Sequence, residues 1–338
     1  MSKILSVIIP MYNAKQYITK CLDSLLLAES VMKKLDILVV NDGSTDGCEA
    51  AAAKYASRYA GCIRLLNKVN GGHGSAVNYA VPYCRGMYVR VLDADDWVLS
   101  ENLAAFIKDL ESAGRADLVL SPYRTFDIRT KHCQLISAGG RQGMVKMKEL
   151  TRQWKYYKQL CCLHGLTYRT DFYRKRSKKL PEGVSYDDAF YSAIPAYQAE
   201  RILVLALPVY VYRIGDEHQS VSLQNRVRRS EQLAAVIWAM QGAFDTRAAI
   251  DNQSYFYYKA VSAAADYFIT VCLRHPLRTK GRKMARETAL KWKKHSPVFF
   301  RHIRRKYVFL YAVSVLGISE KCFYECMMAL GSRQRKGL

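Results

Sequence analysis

Three carboxylates end an apolar run: Val89-Arg90-Val91-Leu92 is followed by Asp93-Ala94-Asp95-Asp96 and then Trp97. Carboxylates this close repel one another and raise each other's pKa. A cation relieves that cost, and a hard divalent ion such as Mg²⁺ or Mn²⁺ prefers oxygen ligands. An acidic turn is also an ordinary surface feature, so the cluster alone leaves both readings open. A second stretch, Asn70-Gly71-Gly72-His73-Gly74-Ser75, is rich in glycine. It matches neither G-x-x-x-x-G-K-[ST] nor G-x-G-x-x-G. Its glycines either let the backbone turn tightly or admit a sugar or phosphate at a helix N-terminus. Cys161-Cys162-Leu163-His164 is too compact to build a tetrahedral metal site by itself, and its sequence neighbours do not complete one.

These residues need elements to position them. Residues 4–9 read as a strand closed by Pro10, and Asn13 can cap the helix that follows. In that helix Tyr17, Ile18, Cys21, Leu22, Leu25 and Leu26 recur at three- and four-residue steps. Residues 37–40 form a second strand, ending in the polar loop 41–47 before a helix over 49–59. A third strand covers 63–66, and the Gly-rich stretch leads into a helix containing Ala76, Val77, Asn78 and Ala80. The run at 89–92 is a buried strand, followed by a helix near 101–112 and a strand at 117–121. Strands alternating with helices at this spacing specify a parallel sheet with right-handed crossovers. The polar loops after Ile9, Val40 and Leu92 then converge on one sheet edge. That edge describes a nucleotide crevice, with Asp42 and the Asp93/Asp95 pair supplied by different strands.

Four motifs occur in order: residues 6–12 (S-V-I-I-P-M-Y), 40–47 (V-N-D-G-S-T-D-G), 70–78 (N-G-G-H-G-S-A-V-N) and 92–97 (L-D-A-D-D-W). Together they resemble the family 2 glycosyltransferases of the GT-A fold, over residues 1–120. The resemblance implies a nucleotide-diphosphate-sugar donor, a UDP-sugar favoured, and a divalent cation, Mg²⁺ or Mn²⁺. It implies that Asp42 contacts the nucleoside base and that Asp93, Ala94 and Asp95 hold ribose, metal and diphosphate. Pro10, Tyr12, Asn13, Gly72 and Asn78 would line the donor pocket. Residues 165–172 and 180–191 are similar to the later part of the family, where an acidic pair precedes an aromatic residue. The usual pair is Glu-Asp; here it is Asp187-Asp188, which blurs which residue is which. Aligned on Tyr191, the general base falls on Asp188 and its orienter on Asp187. An acceptor hydroxyl must lose its proton as it attacks the anomeric carbon, and a positioned carboxylate can take it. The alternative is that the two acids cap the helix containing Phe190 and Ala193. Residues 203–212 are strand-like, and the loop 213–222 looks like the family's closing loop. There Arg213 would pair with the donor diphosphate, and His218 would fold over it and touch the metal beside Asp93 and Asp95.

The 338-residue chain is half hydrophobic, hence globular rather than disordered. Its formal charge is +23, unevenly placed. Residues 1–120 carry 13 basic and 13 acidic side chains, leaving 39 and 16 for the remainder. The second half therefore faces something anionic. From Asn225 the pattern is helical. Residues 274–306 contain 13 Lys and Arg against Glu287 alone, with Trp292, Phe299 and Phe300 interleaved. That pattern suits contact with an anionic lipid surface, or a solvated helix packing its aromatics inward. Ten cysteines without a C-x-x-C pair suit reduced thiols in a cytosolic protein. The run 4–9 is too short for a signal peptide, and no stretch reaches the length of a bilayer span.

The expectation is thus an α/β protein: a GT-A domain over residues 1–222, Rossmann-like with a mostly parallel sheet, followed by a helical basic region over 223–338. Residues 1–120 form its nucleotide-sugar half and 121–222 its acceptor half. The expected activity is inverting transfer of a sugar to a hydroxyl of a glycan or lipid-linked acceptor, in cell-surface polysaccharide synthesis. The expected location is cytoplasmic, peripheral at the inner face of the membrane. A sugar nucleotidyltransferase and a basic nucleic-acid-binding protein are the alternatives. The second is disfavoured because residues 1–120 are neutral and contain the acidic crevice, so no nucleic-acid partner is expected.

Overall fold

The computed structural model describes residues 2–216, 223–323 and 325. The chain divides into two compact units, residues 1–217 with 243–256, and residues 218–242 with 257–338.

The first unit carries twelve strands: β1 Leu5–Met11, β2 Leu35–Asp42, β3 Ile63–Lys68, β4 Tyr88–Val91, β5 Trp97–Val98, β6 Leu118–Leu120, β7 Tyr123–Asp127, β8 Cys133–Ile136, β9 Gly143–Val145, β10 Leu166–Arg169, β11 Ile202–Val204 and β12 Tyr210–Ile214. Eight form one sheet in the order β3-β2-β1-β4-β10-β6-β11-β9, and four form another, β5-β12-β7-β8. Strands β1 to β4 pair in parallel. Every residue of β1 and β2 is buried, as expected of strands covered on both faces. Helices Ile18–Ser24, Cys48–Arg58, His73–Ala80 and Ser100–Glu111 connect them. In the last, Leu103, Phe106, Ile107 and Leu110 form the buried stripe. The expected parallel sheet is thus present, but β10 runs antiparallel to β4 and β6, and β9 antiparallel to β11.

Because β2, β1 and β4 are parallel neighbours, the loops after them leave the same edge. Three local expectations change. Pro10 does not close β1: the strand continues to Met11, with Pro10 opposite Val40 of β2. Ile8 accepts from Leu92, so the even-numbered backbone groups of β1 face β4. The β4 pairing ends at Ile8, so Pro10's missing N–H costs no ladder bond. Asn13 does not cap a helix, since helix Ile18–Ser24 begins after Tyr17. Its Oδ1 instead accepts from the Thr45 amide (2.8 Å), joining the first two loops. Residues 203–212 are not one strand. The run breaks ahead of Pro208, and its two ends, β11 and β12, belong to different sheets.

The second unit is helical among its described residues. It contains Leu223–Arg228, most of Ser230–Ala243, the later part of Ile250–Ile269, Arg278–His295 and Pro297–Val315. Helix Arg278–His295 buries Gly281, Ala285, Ala289 and Trp292, one residue per turn. A Cβ on Gly281 would lie 1.9 Å from the Val271 carbonyl oxygen, so only glycine permits that crossing. Trp292 packs against Tyr267, Phe268 and Phe299. Of the two readings of the sequence, the inward-packing one holds for Trp292 and Phe299, which are core residues, each 1% exposed. Among the described residues, no helix is long and apolar enough to cross a membrane.

Candidate active site

The acidic turn after β4 is anchored by a strand far along the chain. The Tyr210 hydroxyl, on β12, accepts from the Asp93 amide (3.2 Å) and donates to Asp96 Oδ2 (2.5 Å). The Arg213 amide donates to Asp96 Oδ1 (2.7 Å). Asp96 is wholly buried. It is neither a helix cap nor a surface residue: it fastens the small sheet to the end of β4. Burial, followed by the charges of Asp95 and Asp93, pushes its carboxyl well above the usual range. Asp95 is half-buried, 3.6 Å from Arg213 Nη1. Arg213 also donates to Asp216 Oδ2 (2.6 Å) and lies over the Tyr17 ring at 4.4 Å. The guanidinium expected to meet a diphosphate thus sits beside the second carboxylate of the turn. Ala94 is buried between the two acids.

His164 lies in the same place, although the sequence around it looks incomplete as a metal site. It stacks on Tyr212 (3.9 Å between centroids) and meets Tyr210 edge-on (5.0 Å). Its carbonyl accepts from Arg90 Nη2 (2.8 Å), a buried side chain of β4. Asp93, Asp96 and His164 each place a ligand atom within 4.8 Å of the others. The fold therefore supplies what the C-C-L-H stretch lacks, from a segment some seventy residues earlier. The two carboxylates are oxygen donors of the kind Mn²⁺ or Mg²⁺ prefers, and the imidazole is a softer donor beside them. Three carboxylates within four residues of this turn concentrate negative charge that a cation would offset. Of the residues expected as ligands, Asp93 belongs to this group, Asp95 lies beside it, and His218 falls outside the described residues.

Asp42 ends β2 and is 2% exposed. Its Oδ1 accepts from Lys68 Nζ (2.6 Å) and the Gly71 amide (3.0 Å), and Oδ2 from the Gly72 amide (2.7 Å). The amides of the Gly-rich loop thus bind a carboxylate of the chain itself. The rest of that loop is joined to residues 180–187. Gly183 donates to the Gly71 carbonyl (2.7 Å), and a Cβ on Gly74 would lie 2.5 Å from the Pro181 oxygen. Asn78 accepts from the Leu180 amide (2.9 Å) and donates to the Leu180 carbonyl (3.0 Å). Its expected place in the donor pocket is here a backbone clamp. Pro10 is buried in β1, while Tyr12 (54% exposed) and Asn13 stand at the open edge.

The acidic pair opens helix Asp187–Ala193 after Tyr186, which has φ +69°. Such a conformation in a tyrosine is held by its surroundings. Asp187 is buried and Asp188 exposed; both lie in the first turn of the helix, and the N-cap position itself is Tyr186. His73 connects the pair to the acidic turn. Its Nδ1 is 2.7 Å from Asp187 Oδ2, and its Nε2 is 3.1 Å from Asp93 Oδ1. Burial would lower the pKa of His73. The charge and hydrogen bond of Asp187, with those of Asp93, outweigh that and hold it well above the usual histidine value. Burial likewise works to raise Asp93, but the His73 bond and charge and His164 keep it below the ordinary carboxylate range. His73, His164 and Tyr210 are the site residues that the sequence did not single out. His73 stood inside a quoted motif, and its place between glycines was the available cue.

A doubly wound sheet carrying an acidic turn at a strand's carboxyl end, beside a second acidic pair, defines a GT-A-type glycosyltransferase. The profile of glycosyl transferase family 2 matches residues 6–177, just over half of the chain, and the protein belongs to that family. The uncharacterized glycosyltransferase EpsJ of Bacillus subtilis (strain 168) is 28% identical over 219 residues. That alignment covers 63% of this chain and 62% of EpsJ, less than two thirds of that relative's length. S. aureus TarS 1-349, solved with UDP-GlcNAc, superposes with a TM-score of 0.60 at 18% identity, covering 93% of this chain and 92% of TarS. The mannosyltransferase PcManGT of Pyrobaculum calidifontis, solved with GDP-Man and Mn²⁺, gives 0.52 at 17% identity, covering 94% and 88%. These two likenesses carry the fold.

Proposed function

We propose that the chain is an inverting glycosyltransferase that moves a sugar from a nucleoside-diphosphate donor to an acceptor hydroxyl. The carrying observation is that the Asp93–Asp96 turn and the Asp187-Asp188 pair meet at one sheet edge. Asp93, Asp96 and His164, with Asp95 alongside, would hold a divalent cation. Bound there, that cation supplies charge neutralisation at the leaving nucleoside diphosphate. Asp188, exposed on the first turn of its helix, takes the proton of the attacking hydroxyl, and buried Asp187 fixes that turn. A base at this position allows one direct displacement, which inverts the anomeric centre. A UDP-sugar is the favoured donor; a neighbour in fold was solved with UDP-GlcNAc. A glycan or lipid-linked acceptor, in polysaccharide synthesis, is the favoured acceptor class. Family membership argues against the nucleotidyltransferase and nucleic-acid-binding alternatives.

A donor screen tests this reading. A cognate nucleotide sugar at a hundredfold excess over Kd stabilises by about 2.7 kcal/mol. For a domain of this size that is a rise in Tm of roughly 5–10 °C. The shift should require Mg²⁺ or Mn²⁺ and shrink on adding EDTA. Flat melting curves with every UDP- and GDP-sugar would remove the proposal.

The helical unit adds a partner. With Trp292 and Phe299 inside, exposed Val308 (55%) and Phe309 (51%) follow the exposed cations Arg304, Arg305 and Lys306 in sequence. We infer that this surface rests on anionic lipid at the inner face of the membrane. Vesicles containing phosphatidylserine should sediment the protein at low salt, and neutral vesicles should not. Equal behaviour on both lipids would refute a charge-driven contact.

A further inference from the structure

We infer that His73 is a positioning residue whose imidazole ties Asp93 at the end of β4 to Asp187 at the start of helix Asp187–Ala193. It thereby fixes where Asp188 stands relative to the donor seat. The inference rests on the glycosyltransferase reading above for its catalytic consequence, and on geometry alone for the tie itself. Both ring nitrogens are engaged at once, at 2.7 and 3.1 Å, by carboxylates from two segments 114 and 20 residues away. An imidazole is rigid, with its two nitrogens on opposite sides, so it sets a distance as well as making bonds. The ring cannot drift, because its own backbone is held. His73 is the first residue of helix His73–Ala80. The neighbouring Gly74 lies against Pro181, and Asn78 clamps Leu180 one turn on.

The far end of the tie needs such a hold. Tyr186 sits at φ +69° immediately before Asp187, a conformation that persists only where neighbours over-determine it. The buried Asp187 carboxylate, bonded to His73, is one of those neighbours. Asp188 is the next residue on the same helical turn. A displacement of about 1 Å at a reacting group can cost on the order of 10²-fold in rate. Losing the tie should therefore lower turnover without emptying the donor seat, which keeps Asp93, Asp95 and Asp96.

The test compares His73→Ala, His73→Gln, Asp187→Asn and the His73→Ala/Asp187→Asn double variant. His73→Ala should lower kcat by roughly 10–100-fold, with the donor dissociation constant changed less than about threefold. His73→Gln, which keeps one donor group, should fall between wild type and His73→Ala. The double variant should be no slower than the slower single one, because both changes break the same tie. Additive losses, or a loss confined to donor affinity, overturn the inference. Hydrogen exchange on the whole protein gives a readout that needs no substrate. In His73→Ala or His73→Gln, amides of residues 186–193 should exchange about tenfold faster or more while those of β1 and β2 do not change. Unchanged exchange at 186–193 overturns the tie whatever the activity. A wild-type chain that transfers no sugar defeats the glycosyltransferase reading instead, and exchange still decides on His73.

Discussion

Asp188→Asn is expected to lower kcat by about 10²–10⁴-fold, the range over which a positioned base contributes. The nucleotide-sugar dissociation constant should stay near that of the wild type. Asparagine has nearly the same shape and cannot accept the proton of an attacking hydroxyl. Asp188 is exposed, so its replacement by a side chain of the same shape disturbs no core packing. Asp187 is the contrasting case, buried and bonded to His73 at 2.7 Å. Asp187→Asn should therefore cost stability as well as rate. Parallel kinetics and melting curves distinguish the two. If Asp187→Asn gives the deeper loss of turnover with an unchanged Tm, the roles of the two acids are exchanged. If Asp188→Asn turns over near the wild-type rate, the base lies elsewhere.

Gly74→Ala is expected to destabilise the fold by about 2–3 kcal/mol, the upper range for a group forced into a packed site. The added Cβ would stand 2.5 Å from the Pro181 carbonyl oxygen, 3.1 Å from Leu180 Cβ and 3.2 Å from Asp187 Oδ2. The nearest atom is backbone, so a side-chain rotation does not relieve the overlap. Either helix His73–Ala80 or the segment 180–187 must move, and both moves carry the acidic pair with them. Transfer should fall together with stability. Gly61→Ala is the control, since a Cβ there meets nothing within 4 Å. A Gly74→Ala protein with wild-type melting and turnover would show that the two segments are not in close contact.

Much of the donor side was legible because its determinants are local. An apolar run followed by polar residues marks a strand end, and repeating that three times places three loops on one edge. The residues that complete the site depend on partners outside any sequence window. Asp96 had no role assigned because Tyr210 and Arg213, its partners, lie more than a hundred residues later. His164 looked incomplete because Asp93 and Asp96 reach it through the sheet. Of the glycines in residues 71–74, Gly72 has the left-handed backbone (φ +86°) that the tight-turn reading asks for, while Gly74 has a cause that lies far along the chain, the Pro181 backbone. Trp292 among its cations stood open between two readings for a related reason. A one-per-turn stripe of Gly281, Ala285 and Ala289 beside it was the better guide to which way it points.

The clamp between residues 71–78 and 180–187 also bears on how the protein is made. Strands β1 to β4 are complete by Val91, while the ribosome is still far from residues 180–187. The glycine loop therefore lacks its last partners until Leu180, Gly183 and Asp187 have emerged. During that interval the nascent chain has strands β1 to β4 without the segment that carries Asp187 and Asp188. The order of synthesis thus separates the segments that the clamp joins, and the acidic turn after β4 waits longer still, for Tyr210 and Arg213.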